Sequence, residues 1–287
     1  MQKVECCIES GIRTEIYTLE GSEEPSRRAI LTKDFPQGSV IFENEPYAHV
    51  VASQERSTIC SSCFKSSTNL LICSKCQFSR YCSQTCQRND WSSGHKSECR
   101  HAKDLRTEGC SDLALDEILL LLRTYSLCSG DKGLRDDNGI VCTSEISTSI
   151  STGPVRCGRA HVLDLCVGGE FDDVSIATLA EAVRRCSISK SKKYPCDPKT
   201  LLAPLSRLYA SFRANNFCIL NHLLIPKGAG VYPHAALLNH SCTPNGLLSF
   251  RFRDDGQGQP PLLQCIALSD LKAGEELTHC YVDSTLP

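Results

Sequence analysis

Between Arg28 and Val51 the chain reads RAILTKDFPQGSVIFENEPYAHVV, short apolar runs punctuated by Pro36, Gly38 and Pro46. Runs of that length bounded by turn residues predict β-strands. Past residue 100 the period lengthens. Leu113, Leu115, Ile118, Leu119 and Leu122 recur near helical spacing, with Ser111 placed to cap them. Residues 171–187 and 205–217 also carry helical spacing. The segment from Ser129 to Arg159 is polar, Gly- and Ser-rich and aperiodic, which predicts a loop or flexible insertion. Lys190 to Pro195 reads as a solvated basic linker. Three strands are predicted near the end, at Leu247–Phe252, Leu262–Leu268 and Glu276–Val282. Strands therefore stand on both sides of the remaining material, as one β unit interrupted by an insertion would place them.

Composition narrows the class without naming it. A chain of 287 residues, 41% hydrophobic and 22% charged, has the make-up of a globular protein with room for about two domains. The formal net charge of -2 offers no global basic field for nucleic acid or a membrane surface. Residues Met1 to Glu9 lack the apolar core of a secretory signal. The longest apolar run, Ile118 to Leu122, is far below spanning length, so an intracellular, soluble protein is expected. The extreme value is 20 cysteines. In a reducing compartment that density points to metal ligation before disulfides.

One segment carries the spacing for it. Cys60 and Cys63, Cys73 and Cys76, Cys82 and Cys86, and His95 and Cys99 form four ligand pairs within forty residues. A CxxC pair makes a tight knuckle, and ligands four apart suit one helical turn. Eight ligands divide into two four-coordinate sites with no open position, which is structural rather than catalytic zinc chemistry. Read singly, these cysteines could be small core residues; as four regular pairs they point to zinc. A RING-type module is the nearer competitor, but its patterns place a histidine centrally and end on two CxxC pairs. The order here, with Tyr81 before Cys82, resembles the MYND finger, a protein-interaction module. That resemblance implies a cross-brace: Cys60, Cys63, Cys82 and Cys86 on one zinc, Cys73, Cys76, His95 and Cys99 on the other. His101 and Cys110 fall outside the pattern and are not expected to be ligands.

Four further pieces stand together near the end: ANNF (Ala214–Phe217), GAGVYPHAALLNHSCTPN (Gly228–Asn245), LKAGEEL (Leu271–Leu277) and YVD (Tyr281–Asp283). Each alone is a common turn or core fragment. In this order they resemble the SET domain of protein-lysine methyltransferases, and the inserted finger matches the SET-and-MYND-domain family. The resemblance runs from about Arg27 to Asp283. It implies a mainly β SET domain of short sheets with a pseudoknot, an inserted helical segment and a small zinc-bound finger. The implied division is 25–59 for the N-terminal SET part, 60–99 for the finger, 100–200 for a helical and flexible SET insertion and 201–283 for the C-terminal SET core.

By the same resemblance the chain would be an S-adenosylmethionine-dependent protein-lysine N-methyltransferase acting on histone or other protein lysines, in the nucleus, the cytoplasm or both. Asn215, Asn239 and His240 would meet the cofactor, and Tyr281 would orient the lysine amine as the catalytic residue and also border the cofactor. Tyr232 would pack structurally beside the site. The finger would hold two structural zinc ions and bind a short, proline-rich peptide. No membrane association and no direct DNA binding are expected.

Two departures from the family pattern are visible. Glu24-Pro25-Ser26-Arg27-Arg28 stands where the family's cofactor loop carries glycines, and Pro25 fixes φ and removes a donor. YVD is followed by four residues, without the post-SET cysteines and helical region of the family, which makes Cys242 an expected orphan thiol. The residues therefore also admit a non-catalytic reading, a zinc-bound MYND adaptor with a truncated SET scaffold.

Overall fold

The computed structural model describes residues 6–9, 11–18, 25–108, 111–130, 173–188 and 198–281. The chain opens with β1 (Cys6–Glu9), β2 (Ile12–Thr18) and β3 (Pro25–Leu31), followed by β4 (Val40–Asn44) and β5 (Ala48–Val51). The finger contributes β6 (Leu71–Ile72), β7 (Arg80–Tyr81), α1 (Gln84–Asp90) and α2 (Lys96–Thr107). Helices α3 (Asp112–Gly130), α4 (Asp173–Ile188) and α5 (Pro198–Asn215) come next. The C-terminal strands are β8 (Asn216–Leu220), β9 (Pro226–Val231), β10 (Asn239–His240), β11 (Gly246–Arg251), β12 (Leu262–Ala267) and β13 (Glu276–His279).

The sheets do not respect chain order. The largest runs β1-β2-β3-β13-β10, a second β11-β12-β4, a third β5-β9-β8, and β6 pairs β7 within the finger. Each of the first three sheets therefore joins strands from before and after the finger. β13 lies antiparallel to β3, β12 to β4, and β9 to β5. The short β10 runs parallel to β13, with Asn239 opposite Thr278. Continuation past Tyr281, which a threaded pseudoknot needs, falls outside the described residues.

Strand formation follows from alternation. Ile12 and Thr14 are buried on β2, while Arg13 and Glu15 on the other face are half-buried and ion-paired. Gly11 closes the β1–β2 turn at φ +128, and a side chain there would meet Phe35 at 2.9 Å. Gly228 on β9 faces both the Val50 carbonyl and the finger's Phe64 ring, which a Cβ would strike at 2.8 Å. Gly228→Ala is therefore expected to cost about 1–3 kcal/mol through strain on this contact. Urea unfolding measures it, and an unchanged midpoint would show that the Val50 carbonyl and the Phe64 ring both give way without cost.

Several boundaries differ from the sequence reading. The 205–217 helix starts at Pro198 and stops at Asn215, because Asn216 and Phe217 already pair with β9. The last strand ends at His279 rather than Val282, its first two residues pairing with β3 and its last two with β10. Of the other two predicted strands, one moves by a residue to 246–251 and the other keeps its start and ends one residue earlier, at 262–267. Ser129 and Gly130 close α3 instead of opening a loop; 131–159 and the basic linker lie outside the described residues. The expected cofactor loop is strand from Pro25 onward, paired to β2.

Candidate functional site

Two places concentrate chemistry. The first is the finger. Cys60, Cys63, Cys82 and Cys86 converge on one point, and Cys73, Cys76, His95 and Cys99 on another, their ligand atoms within 4.8 Å of one another in each group. A tetrahedral zinc with Zn–S near 2.3 Å places its sulfurs about 3.8 Å apart. The observed separations are 3.4 Å for Cys82–Cys86, 3.6 Å for Cys63–Cys82 and 3.9 Å for Cys73–Cys99. The Cys76 sulfur lies 3.6 Å from His95 Nε2. These donor sets fit two zinc ions, and the pairs interleave along the chain. Cys82 precedes α1 instead of sharing its first turn with Cys86: Ser83 caps the helix and accepts from Cys86 N at 3.1 Å. His101 is buried outside both clusters, and Cys110 lies outside the described residues.

Behind the second cluster sits a buried ionic network that sequence reasoning missed. His95 Nδ1 faces Glu98 Oε1 at 3.3 Å, so Nε2 is the nitrogen left for the metal. Arg123 of α3 donates to both Glu98 oxygens and to Asp90 Oδ1 at 2.9 Å. Tyr81 donates its hydroxyl to Asp90 Oδ2 at 2.7 Å. All five residues are at least 97% buried. Burial alone would favour the neutral acid, yet Arg123 and His95 outweigh it and hold Glu98 far below the usual carboxylate range. A lone arginine after the run ILLLL was the available signal, since a buried charge demands partners.

The second place is a cavity of about 380 Å³ between the end of α5, β8, β11 and the end of β13. Asn215, Phe217, Leu238, Phe250, His279 and Tyr281 are among its lining. Tyr281 donates its hydroxyl to the Leu238 carbonyl at 2.6 Å, and its backbone N–H donates to His240 Nδ1 at 3.0 Å. Its ring lies 4.8 Å from the His279 ring and 5.3 Å from that of His240. Asn215 is fixed at its helix end by donating to Ser211 O at 2.5 Å.

Asn239 and His240 reach the cavity only through Tyr281 and Leu238. The Asn239 amide donates to Arg27 O at 2.7 Å and Glu276 Oε1 at 2.8 Å, which ties β10 to β3 and β13. Tyr232 is fully buried, donating to Pro261 O at 3.1 Å, as its packing role requires. Cys242 is exposed, its sulfur 3.3 Å from His240 Nε2. His279 was not singled out in the sequence. Burial lowers its pKa, the Cys280 carbonyl raises it in part, and His240 lowers it further. Its strand position, on the same face as the buried Leu277, was the signal for an inward side chain.

Residues 60–99 match the family model described as MYND finger. The chain is 27% identical to "Histone-lysine N-methyltransferase SMYD3" of Homo sapiens, over 86% of this chain and 50% of that protein. It is 24% identical to "Histone-lysine N-methyltransferase ASHR1" of Arabidopsis thaliana, over 91% and 48%. It is 27% identical to "N-lysine methyltransferase SMYD2-A" of Danio rerio, over 89% and 51%. The chain thus spans about half the length of these curated relatives. A solved SET domain bound to lysine and AdoHcy aligns over 98% of this chain and 51% of its own at 13% identity, with a TM-score of 0.37. Over most of its length the chain resembles SET and MYND domain methyltransferases.

Proposed function

We propose that this chain is a protein-lysine N-methyltransferase using S-adenosylmethionine, with the 380 Å³ cavity as its reaction site. The observation that carries the reading is the Tyr281 hydroxyl, anchored 2.6 Å from Leu238 O on a cavity that Asn215 also lines. That volume lies within the range of small-molecule sites, about 300–1,000 Å³. Asn215 and the neighbouring backbone would hold the cofactor's polar end. When bound, the cofactor would supply a sulfonium methyl group that a neutral lysine amine can take in line, the carbon–sulfur bond breaking and the neutral thioether leaving.

The chain's own residues then have three tasks. Phe217, Leu248 and Phe250 give the cavity apolar walls, which disfavour an ammonium and lower the lysine pKa. Tyr281 donates its hydroxyl hydrogen bond to the Leu238 carbonyl, so its oxygen would serve as an acceptor that orients the amine. His279 places Nδ1 3.0 Å from Cys280 O, which makes Nδ1 the protonated nitrogen and leaves the Nε2 lone pair to accept a proton. The division into a SET core at 25–59 and 201–283 around the finger and the 100–200 insertion belongs to the same proposal, as do histone or other protein substrates and nuclear or cytoplasmic residence.

Calorimetric titration with S-adenosylmethionine tests the cavity, and methyl transfer to a histone mixture tests the chemistry. Tyr281→Phe is expected to lower kcat by about 10²- to 10³-fold, as loss of one positioned hydrogen bond does, while cofactor affinity stays within about twofold. Equal turnover in the variant would remove Tyr281 from this role. The adaptor reading rests on the finger alone, whose clusters leave no ligand position open. Absence of any cofactor heat would leave that reading standing, with the finger docking a proline-rich peptide.

A further inference from the structure

Away from the methyl-transfer cavity, a second cavity of about 350 Å³ lies where the finger meets the start of α3. We propose that it binds a phosphate monoester carried on a phosphorylated protein segment. Three arginines from separate elements line it: Arg56 after β5, Arg80 on β7 and Arg106 on α2. Arg56 is the fixed floor. Its side chain is 8% exposed, paired with Asp116 at 2.7 Å, and its guanidinium lies 4.1 Å from the Phe78 ring centroid. Its Nε has no hydrogen-bond partner among the described residues.

The other two guanidiniums are not neutralised. Arg106 donates to the Gln77 carbonyl at 2.8 Å and has no carboxylate partner among the described residues. Arg80 is held through its backbone, its N–H donating to Ser61 Oγ at 3.1 Å, and its side chain makes no ion pair among the described residues. Asp112 at the rim is the one further carboxylate in the lining, so positive charge remains in excess. Ser57 and Gln77 add neutral donors. Planar guanidinium forks match phosphate oxygens in pairs, as in other arginine-based phosphate readers. Phe78 and Leu115 leave an apolar wall beside them for the residue next to the phosphate, which an inorganic ion would not use.

The experiment follows the arginine Nε–H signals of the zinc-loaded chain by NMR. The titrants are inorganic phosphate, the peptide Gly-Ala-phosphoSer-Phe-Ala-Gly, its unphosphorylated form and a single-stranded oligonucleotide. Phosphate and the phosphopeptide should shift Arg56, Arg80 and Arg106, the phosphopeptide at roughly tenfold lower concentration, and the unphosphorylated peptide should shift none of them. Arg80→Ala with Arg106→Ala should abolish the shift of the Arg56 Nε–H, the signal that remains in the variant, while zinc content shows the finger intact. The paired lysine variant should fall between. No shift with phosphate or phosphopeptide, or a response surviving the double variant, would overturn the site. Equal potency of inorganic phosphate would overturn the protein-borne source, and an oligonucleotide acting at lower concentration would replace it with nucleic acid. None of these readouts depends on methyl transfer.

Discussion

Replacing Cys73 with serine is expected to leave one zinc ion per chain instead of two and to loosen the whole of residues 60–99. The ligand pairs interleave, so the second site ties Cys73–Cys76 to His95–Cys99 across Cys82–Cys86 of the first. Structural zinc supplies about 10–16 kcal/mol in comparable small fingers, and losing one thiolate forfeits a large part of one site's share. Zinc released on denaturation gives the stoichiometry, and limited proteolysis reports the loosening. Lowering the pH should mimic the variant, because each ligand thiol must shed a proton to bind and acid returns it. A variant that kept two ions and its proteolytic pattern would disprove the cluster assignment.

Arg123→Met should destabilise the protein by about 3–5 kcal/mol, the usual loss when one partner of a buried ion pair is removed. Asp90 and Glu98 would be left charged and dry on the finger side. The effect should also reach the metal. Glu98 orients His95, so affinity at the second cluster should fall about 10- to 100-fold while the first keeps its own. Urea unfolding and competition with a zinc chelator read the two consequences separately. Adding Asp90→Asn and Glu98→Gln should recover part of the stability, because those changes remove the stranded charges. A uniform loss at both zinc sites would instead mean that Arg123 acts only through general packing.

The metal ligands were legible in the sequence because each pair is local: spacing of three or four residues is the geometry. NHSC, ANNF and the terminal tyrosine were legible through resemblance, and Asn215 and Tyr281 do line one cavity. What could not be read is where Asn239 spends its side chain, since its partners Arg27 and Glu276 lie 212 and 37 residues away. Long-range pairing also explains the shortened final strand. β13 ends where β10 stops offering partners, at the pair His240–His279, which local propensity does not reveal. Arg123 was hidden for a related reason. It sits in a helical run whose other members signal an apolar core, and its carboxylates belong to the finger.

The joining of early and late strands governs how the chain can be born on a ribosome. Glu43 and Gln264, hydrogen-bonded across β4 and β12, are 221 residues apart. At about 5–20 residues per second, the first strands wait on the order of ten to forty seconds for their neighbours to emerge. During that interval the finger, whose ligands fall within residues 60–99, can capture zinc and close while β4, β5 and the far edge of β3 remain unpaired. The nascent polypeptide therefore carries a finished metal-bound knot beside open strand edges, the kind of surface on which chaperones act.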